Sequence, residues 1–340
     1  MTNDIVKYLE LFKTYYKRSA HQICFDQNDD CSERIIRSHS IQNSFILDQI
    51  EVDNHLSIID YASNGKIQFK KIGRNNASTF TGFCSHHDSS IFAPIDFNQA
   101  SNISNITPEQ FVLFYYRTLC REYWSKLNAI KVFNIMSKAS KEKDIDTLLK
   151  IYPFLKTEKS INWDFLNGEI LEMALLGQSM GAEDVEPYFE SLRYQIKNSK
   201  YHHTKGIHFV IPSKASQFAV SSFISPVCDF DGNKRNNFAS KTIHFIGLNI
   251  FPHNNDTQVI ITWHRKSNYD CLGEQLEKMD TAEKEIQLSK FVLAHSENIV
   301  FSPDFISNLD QDRTNKIEKI FTGTTMELFK LSDYEDVSLF

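Results

Sequence analysis

Two short clusters of cysteine and histidine near the start of the chain could bind a metal ion. Cys24 and Cys31 form the first cluster, and Cys84-Ser-His-His87 forms the second. Cys84-x-x-His87 has the spacing of a zinc knuckle, and thiolates with an imidazole are ligands that structural zinc prefers. Because such a site needs four ligands, the sequence predicts a structural Zn²⁺ held by Cys24, Cys31, Cys84 and His87. The alternative is that these cysteines are small buried apolar side chains.

Two residues beside these clusters, His39 and Asp88, have side chains that could perform acid–base or metal chemistry. His39 follows the β-like run Ile35-Ile36 and precedes the helix-like segment 43–50, and Asp88 directly follows the last predicted zinc ligand. A neutral imidazole can act as a general base near pH 7, and a carboxylate can hold Mg²⁺. The alternatives are that His39 caps a strand–helix turn or is bonded to backbone, and that Asp88 is an acid favoured by a helix dipole.

With these residues, the segment 20–95 resembles the HNH, or ββα-metal, nuclease family in its zinc-stapled form. The resemblance implies a structural zinc, His39 as the general base, and Asp88 at the final metal-ligand position. It also implies that His86 is a second group for a catalytic Mg²⁺ or Mn²⁺. The chemistry of such a site is metal-assisted, in-line hydrolysis of a phosphodiester.

Three positions depart from the family pattern. Asp88 stands where the family usually has His, and Gln42 stands where it often has Pro. Thr79 stands where the family has the Asn that orients the base, and the nearby asparagines, Asn75 and Asn76, are out of register. The missing Asn favours a second interpretation, a non-catalytic zinc-stapled module that binds or regulates a partner.

Basic residues flank the same clusters and could contact the phosphates of a nucleic acid. The set consists of Arg34, Arg37, Lys70, Lys71 and Arg74. We expect DNA as the substrate rather than RNA. The alternative is that the lysines protect an exposed strand edge.

Two further polar segments, 200–205 and 262–266, have less specific patterns. The first contains His202-His203 between lysines, and could bind a metal or be a solvated loop. The second, Thr262-Trp-His-Arg-Lys266, could contact nucleic acid by stacking and charge. A strand end that meets solvent would have the same composition, and we favour the solvated interpretation for both.

Composition narrows the classes of protein. The chain has 340 residues, of which 37 are basic and 43 acidic, and its net charge of -6 argues against broad coating of nucleic acid. The 6 cysteines are too scattered for a disulfide framework, and Cys120, Cys228 and Cys271 are expected to be ordinary buried thiols. The sequence shows no apolar run of membrane-spanning length, no signal peptide and no phosphate-binding Gly-rich loop. We therefore expect a cytoplasmic protein without a membrane partner.

Hydrophobic periodicity predicts an α+β fold in two parts. Residues 1–104 contain an N-terminal helix (4–18), strands at 56–61 and 67–72, and the Cys/His module. Residues 105–340 contain a helical middle and then an antiparallel sheet with helices, which we expect to regulate, to form a homo-oligomer or to bind a protein partner. The helical middle begins at Thr107-Pro108, an N-cap followed by Pro at the first position. Its further helices are predicted at 140–153, 162–178 and 183–198, and the acidic tail 332–340 is expected to fray.

These observations predict a metal-dependent endonuclease fused to a larger regulatory unit. By analogy with other two-part architectures, it would serve in bacterial defence against phage. The second hypothesis is the non-catalytic zinc-stapled protein described above.

Overall fold

A computed structural model describes residues 16, 20–32, 34–61, 66–98, 101, 103–151, 169–212, 214–236, 242–267, 269–323 and 330–340. The predicted N-terminal helix lies outside the described residues except at Tyr16, and so does the beginning of the predicted helix 162–178. The fold is α+β, as the sequence predicts.

Nine strands occur in the described part of the chain. They are β1 (Ile35–His39), β2 (His55–Tyr61), β3 (Ile67–Gly73), β4 (Thr79–Cys84), β5 (Thr204–Ile211), β6 (Phe218–Ile224), β7 (Ile246–His253), β8 (Asp256–His264) and β9 (Ile299–Phe301). The α-helices are α1 (Ser85–Phe92), α2 (Pro108–Lys141), α3 (Ile145–Ile151), α4 (Glu169–Lys197), α5 (Asp270–Lys278), α6 (Thr281–His295), α7 (Pro303–Ser307) and α8 (Gln311–Gly323).

A small antiparallel pair, β1 with β4, leads directly into α1 and forms a ββα unit. The register shifts between Ile36 and Ser38, so that the last residue of β1, His39, lies opposite Thr79. Bulges of this kind change the direction in which the following side chains point and are common next to functional sites. The start of β1 therefore lies opposite the start of α1, through the pairing of Ile35 with Cys84, and His39 lies at the other end of the strand pair.

The other seven strands form one antiparallel sheet in the order β3-β2-β9-β6-β7-β8-β5. The hairpin of β2 and β3 joins this sheet through the pairing of Ser57 in β2 with Phe301 in β9. Strands from before residue 104 and strands from after residue 204 therefore share one sheet. The two-part division at residue 104 stays a prediction about folding units.

The long helix α2 lies between the large sheet, α4 and the ββα unit. It begins with a capping box, in which the Thr107 hydroxyl accepts from the Gln110 amide and the Gln110 side chain accepts from the Thr107 amide. Every residue in 112–120 is buried, because neighbours surround this stretch of the helix on all sides. One hydrophobic core joins α2, α4, the ββα unit and one face of the sheet, and a second core joins the other face to α5, α6 and α8.

Two sequence-based expectations about elements are wrong. A single helix, α4, crosses the predicted gap between 178 and 183 and continues through Pro187, because it packs along α2. The C-terminal tail does not fray: Leu339 is fully buried in the second core, and its amide donates to the Ser289 hydroxyl at 2.8 Å. Val337 and Leu339, which are both buried, supply this anchoring.

Candidate metal centre and the neighbouring histidine

The four predicted zinc ligands converge on one point. The side-chain ligand atoms of Cys24, Cys31, Cys84 and His87 all lie within 4.8 Å of one another. His87 Nδ1 is 3.3 Å from the sulfur of Cys24 and 3.2 Å from that of Cys84. Three sulfurs and one imidazole nitrogen are a donor set that fits tetrahedral zinc, so this group could hold a structural zinc ion.

Local backbone geometry explains why the cluster forms. Cys84 ends β4 and is the N-cap of α1, where its sulfur accepts from the His87 amide, while the Cys24 sulfur accepts from the Cys84 amide. The loop that carries Cys24 runs beside β4, because the amide of Phe25 donates to the carbonyl of Gly82 at 2.9 Å. Gly82 is required here, since a Cβ at this position would lie 2.5 Å from the Phe80 ring.

Aromatic packing holds the loop against the helices. The Phe25 ring contacts Phe83 of β4 and Phe189 of α4, with ring centroids 5.9 and 5.1 Å apart. It also stacks on Tyr123 of α2 at 5.8 Å. The metal cluster is therefore attached to the main hydrophobic core by the residue that follows its first ligand.

Asp26 lies beside the Cys₃His group, and the sequence interpretation did not include it. One of its carboxylate oxygens is 3.7 Å from His87 Nε2, and the other is 3.9 Å from the guanidinium of Arg193 in α4. A carboxylate on the second ring nitrogen of a metal-binding histidine sets its tautomer and increases its basicity. The signal in the sequence is its position, two residues after Cys24.

The thiols differ in acidity. Burial raises the pKa of Cys24 to about 12, and burial also raises the pKa of Cys31. At Cys84 burial acts in the same direction, but hydrogen bonds from Ser32, from the His87 amide and from Cys31 outweigh it and lower the pKa to about 5. One thiolate is thus stabilised by the protein itself, whereas the other two need a cation to ionise at neutral pH.

His39 lies at the end of β1 in a mostly covered position. Burial lowers the pKa of its imidazole to about 4, against a hydrogen bond to the Ala77 backbone, and the guanidiniums of Arg117 and Arg74 lower it further. The ring is therefore neutral near pH 7. Its Nδ1 atom is buried and has no hydrogen-bond partner within the described ranges, which is an unusual state for a buried polar atom.

Asp88 lies on α1 next to a second residue that the sequence interpretation missed, Arg117 of α2. The Arg117 guanidinium is 2.8 Å from an Asp96 carboxylate oxygen and 4.2 Å from the centre of the Phe92 ring. Burial raises the pKa of Asp88, whereas the charge of Arg117 acts to lower it. A charged residue inside the apolar run 112–120 is the signal that could have identified Arg117.

The residues proposed for a catalytic divalent ion do not assemble into a second cluster. His86 is exposed, and Asp88 has the fixed cation of Arg117 as its neighbour. In the described ranges, no group of three or more His, Cys, Asp or Glu ligand atoms converges as tightly as the Cys₃His group. Asp88 and His86 therefore do not fit a Mg²⁺ or Mn²⁺ site by themselves.

The side chains of Thr79, Asn76 and Asn75, near the expected position of the family Asn, form hydrogen bonds to other groups. The Thr79 hydroxyl donates to the Asn76 carbonyl at 3.1 Å. The Asn76 side chain accepts from Arg37, and that of Asn75 accepts from Asn43.

The basic residues that the sequence predicts to contact nucleic acid lie on or near two different sheets. Arg37 lies on β1, Arg34 precedes it and is exposed, and Lys70 and Lys71 lie on the edge strand β3. Lys70 is 3.7 Å from an Asp60 oxygen, and Arg74 forms an ion pair with Asp48. Arg74 is the member that the structure brings within electrostatic reach of His39.

Searches of family models, curated proteins and solved structures return no match to this chain. The resemblance to the HNH family therefore rests on the residues and the geometry given above. None of the helices in the described part of the chain is long and apolar enough to cross a membrane.

Proposed function

We propose that the protein hydrolyses nucleic-acid phosphodiester bonds and that His39 is its general base. The observation that carries the proposal is the position of His39 at the end of β1 in a ββα unit whose helix begins at the Cys₃His group. A neutral, partly exposed imidazole can accept a proton from an attacking water.

The surroundings of His39 support this role electrostatically. Arg117 and Arg74 both lie close enough to lower the pKa of His39. Cations beside a base can offset the charge that develops on a phosphate oxygen during hydrolysis. Binding of an anionic phosphate would also raise the pKa of His39 from its low resting value towards the range in which a general base is effective.

Within this proposal, the zinc ion is structural. Zinc at the Cys₃His group would join the loop of Cys24, the end of β4 and the start of α1, and would thereby set the position of the ββα unit. The chemistry that a catalytic Mg²⁺ or Mn²⁺ supplies in such enzymes is charge stabilisation at the scissile phosphate.

A second candidate function is a zinc-stapled binding or regulatory protein without catalytic activity. The observation that favours it is the pairing of Arg117 with Asp96 beside Asp88, because a buried guanidinium repels a divalent ion from that carboxylate. Under this proposal the same network only stabilises the packing of α1 on α2.

Cleavage assays separate the two candidates. Zinc-loaded full-length protein would be incubated with single- and double-stranded DNA and with RNA, in Mg²⁺, in Mn²⁺ and without added divalent ion. We expect cleavage by the wild type and by the control His55→Ala, and a loss of about 10²–10⁴-fold in His39→Ala. Wild-type protein that cleaves none of these substrates, or His39→Ala that cleaves at the wild-type rate, would refute the catalytic proposal.

The expected role in defence against phage has its own test. Bacteria that express the wild-type protein should yield fewer plaques than bacteria that express His39→Ala at the same level. Equal plaque counts across a panel of phages would contradict the role in defence. The cleavage assay would still decide whether the protein is a nuclease.

A further inference from the structure

Two basic segments that are about sixty residues apart in the sequence meet at one end of the large sheet. The segment 200–203 precedes β5, and the segment 264–266 ends β8, which pairs with β5. The amide of Arg265 donates to the carbonyl of His203 at 2.8 Å and joins the two segments. Neither segment alone has a specific pattern, but together they form one continuous surface.

Histidine rings form the centre of this surface. The rings of His202 and His203 have centroids 4.1 Å apart, and the rings of His203 and His264 are nearly parallel at 6.3 Å. Burial lowers the pKa of His203, and the neighbouring cations, including Lys200, Arg265 and Lys266, lower it further. The ring is therefore neutral near pH 7 and offers an uncharged π-face among positive charges.

Three cations lie around these rings without an ion pair among the described residues. Lys200, Arg265 and Lys266 are exposed, and none of the three has a carboxylate within ion-pair distance in the part of the chain that the structure describes. By contrast, the nearby Lys205 is neutralised by Asp270 at 2.6 Å. In a protein with a net charge of -6, three uncompensated cations on one surface are a local attractor for anions.

We propose that Lys200, His202, His203, His264, Arg265 and Lys266, here called the basic edge, form a docking surface for single-stranded nucleic acid. Alternating cations and flat rings match a strand that presents phosphates and unpaired bases in turn. This proposal depends on the proposed function only for the choice of nucleic acid as the ligand. The basic edge does not include His39, and it would bind the strand rather than take part in its cleavage.

The chemistry of the surface favours a nucleic acid over an anionic membrane. Membrane-binding surfaces need apolar side chains that enter the lipid. Tyr194, half exposed, lies beside this surface, and Lys200 covers its ring, with the ammonium 5.7 Å from the ring centre. Rings and charges at the level of the surface suit stacking and phosphate contact.

Binding without cleavage tests the proposal. Fluorescence anisotropy would be measured on zinc-loaded full-length protein in the His39→Ala background, with labelled DNA and RNA single strands of about 20 nucleotides. The combined charge reversal Lys200→Glu, Arg265→Glu and Lys266→Glu should weaken binding by about tenfold or more. It should also reduce the slope of log K against log salt by about 2, because each lost phosphate contact removes about 0.7 from that slope.

One triple variant and one double variant serve as controls. The combination Lys138→Glu, Lys150→Glu and Lys278→Glu changes the same amount of charge at exposed sites elsewhere and should weaken binding by no more than about twofold. The pair Lys70→Glu and Lys71→Glu tests the rival surface on β3. Circular dichroism and bound zinc would be compared for all variants, so that only folded proteins are interpreted.

Each outcome is decisive. Selective weakening by the basic-edge variant supports the proposal, even if the cleavage assay refutes catalysis. Four results would overturn it: no binding of any single strand, equal weakening by the control triple, weakening only by the β3 pair, or binding to phosphatidylserine vesicles in place of nucleic acid.

Discussion

Replacing Arg117 with Met should expose how much of the fold depends on one buried cation. The Arg117 side chain is only 7% exposed, and it connects three features of the ββα unit. It forms the ion pair with Asp96, it covers the Phe92 ring, and its charge acts to lower the pKa of Asp88. Methionine keeps a long apolar side chain in this position, so the variant Arg117→Met mainly removes the charge.

The size of the effect follows from burial. Removing one partner of a buried ion pair costs about 3–5 kcal/mol, because the other charge is left without compensation. Water can reach Asp96, whose side chain is 37% exposed, so we expect the lower end, about 3 kcal/mol. At about 2.1 cal/mol/K per residue, unfolding of 340 residues has an entropy of about 0.7 kcal/mol/K, which converts this loss into a Tm decrease of about 4 °C.

Thermal unfolding of zinc-loaded protein measures this decrease. The matched control is Arg121→Met, one turn further along α2, because Arg121 lies over the Trp124 ring at 5.6 Å and has no ion pair within the described ranges. Adding Asp88→Asn to Arg117→Met should recover part of the loss, with a coupling energy above about 1 kcal/mol in a double-mutant cycle. Equal Tm values for Arg117→Met and the control, or strictly additive effects of the two substitutions, would refute the reasoning.

Four further predictions concern the metal centre, the histidine and the tail. Cys84→Ser should abolish stoichiometric zinc binding, measured by elemental analysis, whereas Cys271→Ser should retain it; zinc retained in both variants would contradict the Cys₃His assignment. Asp26→Asn should weaken zinc binding about 10–100-fold in a chelator competition, and unchanged affinity would remove Asp26 from the support of His87. Burial and two guanidiniums lower the pKa of His39 from 6.5 to about 4, so the contribution of His39 to stability is complete above pH 6.5 and is lost as the pH falls towards 4. In urea titrations, the difference in unfolding free energy between wild type and His39→Asn should therefore shift by up to about 3 kcal/mol over this range. A difference that does not depend on pH would contradict the low pKa. Leu339→Ala should cost about 2–5 kcal/mol, and a tail variant as stable as wild type would show that the tail does not complete the second core.

Much of the local structure follows from short-range patterns in the sequence. Thr107-Pro108 predicts the start of α2, because capping and a fixed proline φ act within one turn. The alternation in 67–72 predicts β3, and Cys84-x-x-His87 predicts a knuckle, because one turn of α1 brings both ligands together. The four-ligand set could also be predicted, because zinc chemistry demands four donors and few candidates exist near the knuckle.

The tertiary structure alone decided which distant residues act on those groups. Arg117 reaches Asp88 and His39 only because α2 packs against the ββα unit. Its position in an apolar run marks it as unusual but does not show which residues it faces. Asp26 meets Arg193 only because α4 runs beside the loop that carries Cys24, and the segments of the basic edge meet only through the pairing of β5 with β8. The sequence by itself therefore determined the ligands and the elements that carry them, since these depend on neighbours along the chain. The charges that surround each site depend on packing between residues far apart in the chain, and only the folded arrangement determines them.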